Sequence, residues 1–165
     1  MIRRLVLIAG GIFLLGATAV QAQQETKLEL KTTIDKEVKV KKEGKLVTQT
    51  VPADSTSPGD TLVITVAYSN TGAGVVKDAT IVNPVPKGVV LKPQSPAGKD
   101  AAITCSIDGG RTFLPPPIMV RVKKADGTEI NQPAPAERYT HVKWVIQKPV
   151  SPGQSGRVSF EATVQ

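Results

Sequence analysis

TLVITVAYS, residues 61–69, alternates Leu62, Ile64, Val66 and Tyr68 with Thr61, Val63, Thr65, Ala67 and Ser69. An apolar side chain at every second position is the period of a strand with one buried face, because successive side chains leave a pleated backbone on opposite sides. Two later stretches repeat the scheme. HVKWVIQ, residues 141–147, puts Val142, Trp144 and Ile146 on one face, and RVSFEATV, residues 157–164, does the same with Val158, Phe160, Ala162 and Val164. Three strands that are each apolar on one face predict two sheets closing over a common interior. Tyr68, Trp144 and Phe160 fall on the inward faces, where large rings serve a core more often than a cofactor site.

Shorter extended pieces surround these three: KLELKTTI, KEVKVKK, KLVTQTV, DATIVNP, GVVLK, AAITCSI and IMVRVK. In AAITCSI, Ile103, Cys105 and Ile107 share a face, so the only cysteine reads as a buried, inert thiol. Turn-forming residues separate the pieces at SPGD, NTGAG, PVPKG, SPAGK, DGG, PPP, ADG, QPAP and SPG. Nothing beyond the first residues has helical periodicity. Many short strands at regular spacing predict an all-β fold, an immunoglobulin-like antiparallel β-sandwich. The stretch 125–140, ADGTEINQPAPAERYT, reads as a long proline-bearing surface loop ending at Tyr139, which is placed at a corner of the sandwich.

The chain opens with MIRRLVLIAGGIFLLGATAVQA: Arg3 and Arg4, an apolar run from Leu5 to Ala19, then Val20 and Ala22 ahead of a cut. These are the three parts of a secretory signal, with cleavage expected after Ala22. The apolar run is shorter than the roughly 20 residues that cross a bilayer. The expected organisation is a signal peptide over 1–22, an N-terminal strand or hairpin arm over 23–45, and a sandwich domain over 46–165. Roughly 140 mature residues suit one domain with its own core. In the arm, Leu28, Leu30, Thr32 and Ile34 share a face, and a hairpin turn is expected at Glu43-Gly44-Lys45. The arm could be the first strands of the domain, or Leu28, Leu30 and Ile34 could belong to a donor strand that completes a neighbouring copy.

From Pro58-Gly59-Asp60, through the alternating strand and Ser69-Asn70-Thr71-Gly72, to Asn83-Pro84-Val85-Pro86-Lys87-Gly88, the chain resembles the bacterial surface repeat called domain of unknown function 11. SIDGGRTF, YTHVKW and Pro152-Gly153 followed by GRVSFEATV extend the likeness to its proteobacterial single-domain branch, over roughly residues 46 to 165. The resemblance implies an immunoglobulin-like sandwich exported to the envelope or cell surface. Relatives of that kind often come in tandem arrays, whereas this chain carries one copy. The family brings no catalytic residues to transfer.

SIDGGRTF, residues 106–113, also resembles the Asp-box hairpin of glycan-cleaving propellers. Its chemistry is that of a turn. The Asp108 carboxylate accepts backbone N–H groups, Gly110 supplies backbone freedom, Ser106 and Thr112 flank it, and Phe113 packs beneath. In propellers such boxes lie away from the active site, and this chain is too short for a propeller, so Asp108 reads as structural. His141, the only histidine, shares a face with Lys143 and is expected to meet solvent without a catalytic partner. One histidine and one cysteine cannot make a zinc site. Asp126, Glu129 and Asn131 offer oxygens but no calcium-loop pattern. PGQSGR lacks G-x-S-x-G and reads as a turn.

The formal charge of +7 includes the two arginines of the signal, and the lysines between Lys27 and Lys45 are interleaved with Glu29, Asp35, Glu37 and Glu43. With only 4% aromatic residues, that pattern excludes a nucleic-acid groove of dense cations and stacking rings. No cysteine stands just after the expected cleavage site and the last apolar strand runs to Gln165, so release into the periplasm or medium, or non-covalent attachment, is expected. The expectation is a non-enzymatic exported module without a cofactor, structural or adhesive, contacting a protein or glycan. Its alternative is a filament subunit assembled by strand donation, and a hydrolase is a distant third.

Overall fold

A computed structural model describes residues 25–165; the expected signal peptide over 1–22 and the first two residues of the arm lie outside the described residues. The chain is all-β with antiparallel sheets. Its strands are β1 (Leu28–Lys42), β2 (Lys45–Pro52), β3 (Thr61–Asn70), β4 (Thr80–Pro84), β5 (Val89–Leu91), β6 (Ala97–Gly98), β7 (Ala101–Ser106), β8 (Met119–Lys123), β9 (Glu129–Pro133), β10 (His141–Ile146) and β11 (Ser155–Val164). A single 3-10 turn, Ala136–Arg138, is the only helical piece among the described residues, and no helix there is long and apolar enough to cross a membrane.

β3 lies centrally in a six-stranded sheet of order β2-β1-β3-β11-β5, with β6 also pairing to β11. A three-stranded sheet of order β4-β10-β7 supplies the second inner face, and β8 and β9 form a separate hairpin. The alternating residues of β3, Leu62, Ile64, Val66 and Tyr68, are buried, as are Val158, Phe160 and Ala162 of β11 and Val142, Trp144 and Ile146 of β10. These side chains form one apolar cluster with Ile81, Leu91 and Cys105. At its centre the rings of Trp144 and Phe160 stack at 6.2 Å between centroids and 28° between planes. The indole N–H, which burial would otherwise leave without a partner, donates to the carbonyl of Ala97 (3.1 Å). Ile103 and Ile107 are only partly buried, at the margin of the cluster. Ile103 stands opposite Trp144, while Ile107 lies past the end of β7.

Gly156 is required by this packing. It sits opposite Tyr68 across the β3–β11 ladder, and a Cβ there would run into the phenol ring. The absence of a side chain at Gly156 leaves room for the Tyr68 ring, which is only 8% exposed.

Three expectations need correction. KLELKTTI and KEVKVKK are one unbroken strand, because β1 pairs with β3 through Lys36 and with β2 from Asp35 onward, so hydrogen bonding never lapses between them. The stretch 125–140 is not one long loop: Glu129–Pro133 returns along Met119–Lys123 as β9, with a tight turn in which the Lys124 N–H donates to the Thr128 carbonyl (2.8 Å). EINQP has one strongly apolar residue and no alternation, so nothing in its pattern announced a strand. SPAGK, read as a turn, contains β6, held by two residue pairs with β11. The turn at Glu43-Gly44 does close the β1–β2 hairpin, with both residues at positive φ.

Candidate functional site

The Asp108 turn stands at one end of the three-stranded sheet, where β7 runs out. Ser106 is fully buried, and its hydroxyl donates to Asp108 Oδ1 (2.7 Å) while accepting the Gly110 N–H (2.9 Å). Oδ1 also accepts the N–H groups of Arg111 and Thr112 (both 3.0 Å), and Oδ2 accepts the Thr112 hydroxyl (2.6 Å). Gly109 and Gly110 both take positive φ, which lets the chain reverse tightly enough to aim those donors at one carboxylate. The hydroxyl and N–H of Thr112, then the Ser106 hydroxyl, hold the Asp108 carboxyl far below the usual carboxylate range. Its oxygens are occupied by the donors of its own turn.

Phe113 does not enter the core beneath this turn. It lies half-buried on the outer side of the sheet, with the Lys143 ammonium 4.3 Å from its ring centre. The reason is that Leu114 exchanges two hydrogen bonds with Cys105 (2.8 and 2.9 Å), so the returning chain runs as a further edge beside β7. His141 shares the outer face of β10 with Lys143, as expected, but is half-buried there: Gly110 approaches its ring, and Nδ1 lies 3.1 Å from the Thr140 hydroxyl. The Thr140 hydroxyl is itself engaged, accepting the Gly109 N–H (3.1 Å) and donating to the Ser106 carbonyl (3.3 Å), and no carboxylate is among these contacts.

Other candidate chemistry is similarly occupied. Cys105 is wholly buried, and burial pushes its thiol up to about 11. Asp126 accepts the Thr128 N–H (2.9 Å), which with the Thr128 side chain lowers its carboxyl, and Glu129 pairs with Arg121 at 3.5 Å. Among the described residues no three His, Cys, Asp or Glu side chains converge. Ser155 begins β11 opposite Ser69. An open cleft of about 480 Å³ lies between Tyr68, Lys99, Asp100, Lys148 and Arg157, with Lys148 and Asp100 paired at 3.0 Å on its wall.

What the fold leaves unused is surface on β1 and β2. Leu28, Leu30, Thr32 and Ile34 stand opposite Asn70, Tyr68, Val66 and Ile64 and therefore share the core side of the sheet. Their partners are buried, yet Leu30 is 53% and Ile34 43% exposed, because the narrower sheet does not reach over β1. Past Lys36 the strand leaves β3 and continues with β2 as a two-stranded ribbon, on which Leu46 and Val47 are also exposed. The residues considered for a donor strand thus pair with β3 of their own chain.

Two residues organise the ends: Tyr139, expected at a corner, and Asn70, for which the sequence reading gave no role. Asn70 is fully buried at the end of β3; its Nδ2 donates to the carbonyls of Gly74 and Val150 (both 2.8 Å), and its Oδ1 accepts the Gly72 N–H (3.0 Å). The signal was present, since Asn70 falls on the inward phase of TLVITVAYSN. Tyr139 is buried beside the 3-10 turn and its hydroxyl accepts the Ile118 N–H (3.0 Å), tying the β8–β9 hairpin to the main body.

Comparison with protein-family models, with curated proteins and with solved structures found no match.

Proposed function

We propose that this chain is an exported, non-enzymatic module with an immunoglobulin-like β-sandwich, acting through its surface at the cell envelope or outside the cell, where it holds a protein or glycan. One observation carries the reading: the apolar side chains of β1 and of the β1–β2 ribbon project beyond the core, while the carboxylates and the thiol suited to chemistry are tied into turns or buried. The tripartite start of the sequence supports export, and the order of its turn motifs supports kinship with domain of unknown function 11.

The test is direct. In the expressing cell the mature protein should begin at Gln23 and fractionate with envelope or medium. Replacing Leu46 and Val47 by Ser should release it from whatever it adheres to without changing its melting. A cytosolic protein still carrying Met1 would end the export reading, and unaltered adhesion after the ribbon substitution would end the surface reading.

A second reading, a filament subunit that donates its N-terminal strand, requires β1, which pairs along nearly the whole of β3 in its own chain, to exchange into the same place on a neighbouring copy. Removal of residues 23–34 should then leave soluble, unpolymerised, less stable protein; unchanged size and stability after that deletion would dispose of it.

A further inference from the structure

We propose that the free edge of β1 is a self-association surface, on which two copies pair antiparallel about Leu30 and join their larger sheets side by side. The backbone defines the window. Alternate residues of an antiparallel strand turn their N–H and C=O groups to opposite neighbours. The Lys27 carbonyl accepts the Thr71 N–H (2.9 Å), which places residues 27, 29, 31 and 33 in hydrogen bonding with β3. Even-numbered residues face the other way. From Ile34, whose carbonyl accepts the Ala53 N–H (3.2 Å), that outer edge is occupied by β2 and its approach. Leu28, Leu30 and Thr32 remain, with no partner strand among the described residues. These positions are symmetric about Leu30, so a two-fold pairing of Leu30 with Leu30 of the second copy satisfies both edges at once.

Side chains select the same register. On the outer face Lys27, Glu29 and Lys31 alternate in sign, with Lys27 and Glu29 already 3.3 Å apart. Pairing about Leu30 sets Glu29 of each copy opposite Lys31 of the other. A slide of two residues, which moves the two-fold axis to Glu29 or to Lys31, instead opposes Glu29 to Glu29, or Lys31 to Lys31, and like charges directly opposite are destabilising. On the core side, pairing about Leu30 brings the two half-exposed Leu30 side chains together. A lysine on an edge usually discourages pairing with arbitrary strands. Here the glutamate two residues away makes the edge complementary to itself, which argues for a second copy over an unrelated extended peptide.

The experiment is sedimentation equilibrium of the protein as its expressing cell processes it, a measurement separate from any of its location. Wild type should show a concentration-dependent monomer–dimer equilibrium. Glu29→Lys alone and Lys31→Glu alone should each weaken the dimer about tenfold or more, since two like-charge pairs then face each other. An equimolar mixture of the two variants should recover a mixed dimer, and the double swap a homodimer. Leu30→Cys should cross-link to a covalent dimer on mild oxidation, because facing Cα atoms about 5.5 Å apart suit a disulfide and Cys105 is buried. Wild type monomeric at millimolar concentration, an open polymer, or a dimer indifferent to the charge exchange would each overturn the proposal.

Discussion

Asp108 shows how a catalytic-looking carboxylate can be wholly committed to its own loop. Three hydrogen bonds from Thr112 and Arg111 and one from Ser106 favour its ionised form. Its folded pKa therefore lies below the unfolded value of about 3.9. The sign follows: the stabilisation is complete above the unfolded value and is lost as pH falls through the folded one. Asp108→Ala should lower the melting temperature at neutral pH, and the gap from wild type should narrow progressively below about pH 4. Thermal melts of both proteins across that range check it, and a gap that widens in acid contradicts the assignment. Tyr139 is a second residue-scale case. Tyr139→Phe leaves the buried Ile118 N–H without its acceptor, an expected loss of about 1–3 kcal/mol in denaturant unfolding.

At the scale of elements, the strands that were legible in the chain are those with one buried and one exposed face. β3, β10 and β11 carry strict alternation because both requirements act on them at once. β9 and β6 carry no such pattern: β9 lies in the separate β8–β9 hairpin, and β6 is two residues long with Gly98 pressed against Val158 and Trp144, too short to show a period. The β1–β2 ribbon lies between these cases: Val38, Val40 and Val47 share one side, Leu46 projects from the other, and no sheet covers either. Leu46→Ser with Val47→Ser should therefore shift unfolding free energy by less than about 0.5 kcal/mol, as surface substitutions do. A loss of 2 kcal/mol or more, on the order of a buried side chain, would place the ribbon inside the fold.

For the whole molecule, the cluster joining the two larger sheets is the common dependency. Trp144 is fully buried, stacks on Phe160 of the opposite sheet and donates its N–H to the Ala97 carbonyl of β6. Trp144→Ala should cost about 3–5 kcal/mol, because it removes contacts to both sheets and leaves a cavity. Cys105, buried in the same cluster with its thiol pushed up to about 11, offers the readout. Thiol labelling of native protein should proceed only through opening of the sheets, and Trp144→Ala should accelerate it in proportion to the lost stability. Rapid labelling of folded wild type would show that the interior opens locally.

By itself the sequence determined which side chains face inward in the three alternating strands, that the architecture is all-β, and where the Asp108 and Glu43-Gly44 turns fall. These are local matters, decided by side-chain period and by the backbone freedom of residues within a few positions of one another. Tertiary structure alone decided that the Asn70 side chain meets the carbonyls of Gly74 and Val150, that Phe113 lies outside under Lys143, and that β1 from Leu28 to Thr32 is a bare edge beside β3. Those outcomes depend on how far one sheet extends over another and on which segment reaches a strand's open side. Both are set by contacts between residues far apart in the chain, on which the pattern within any one strand carries no information.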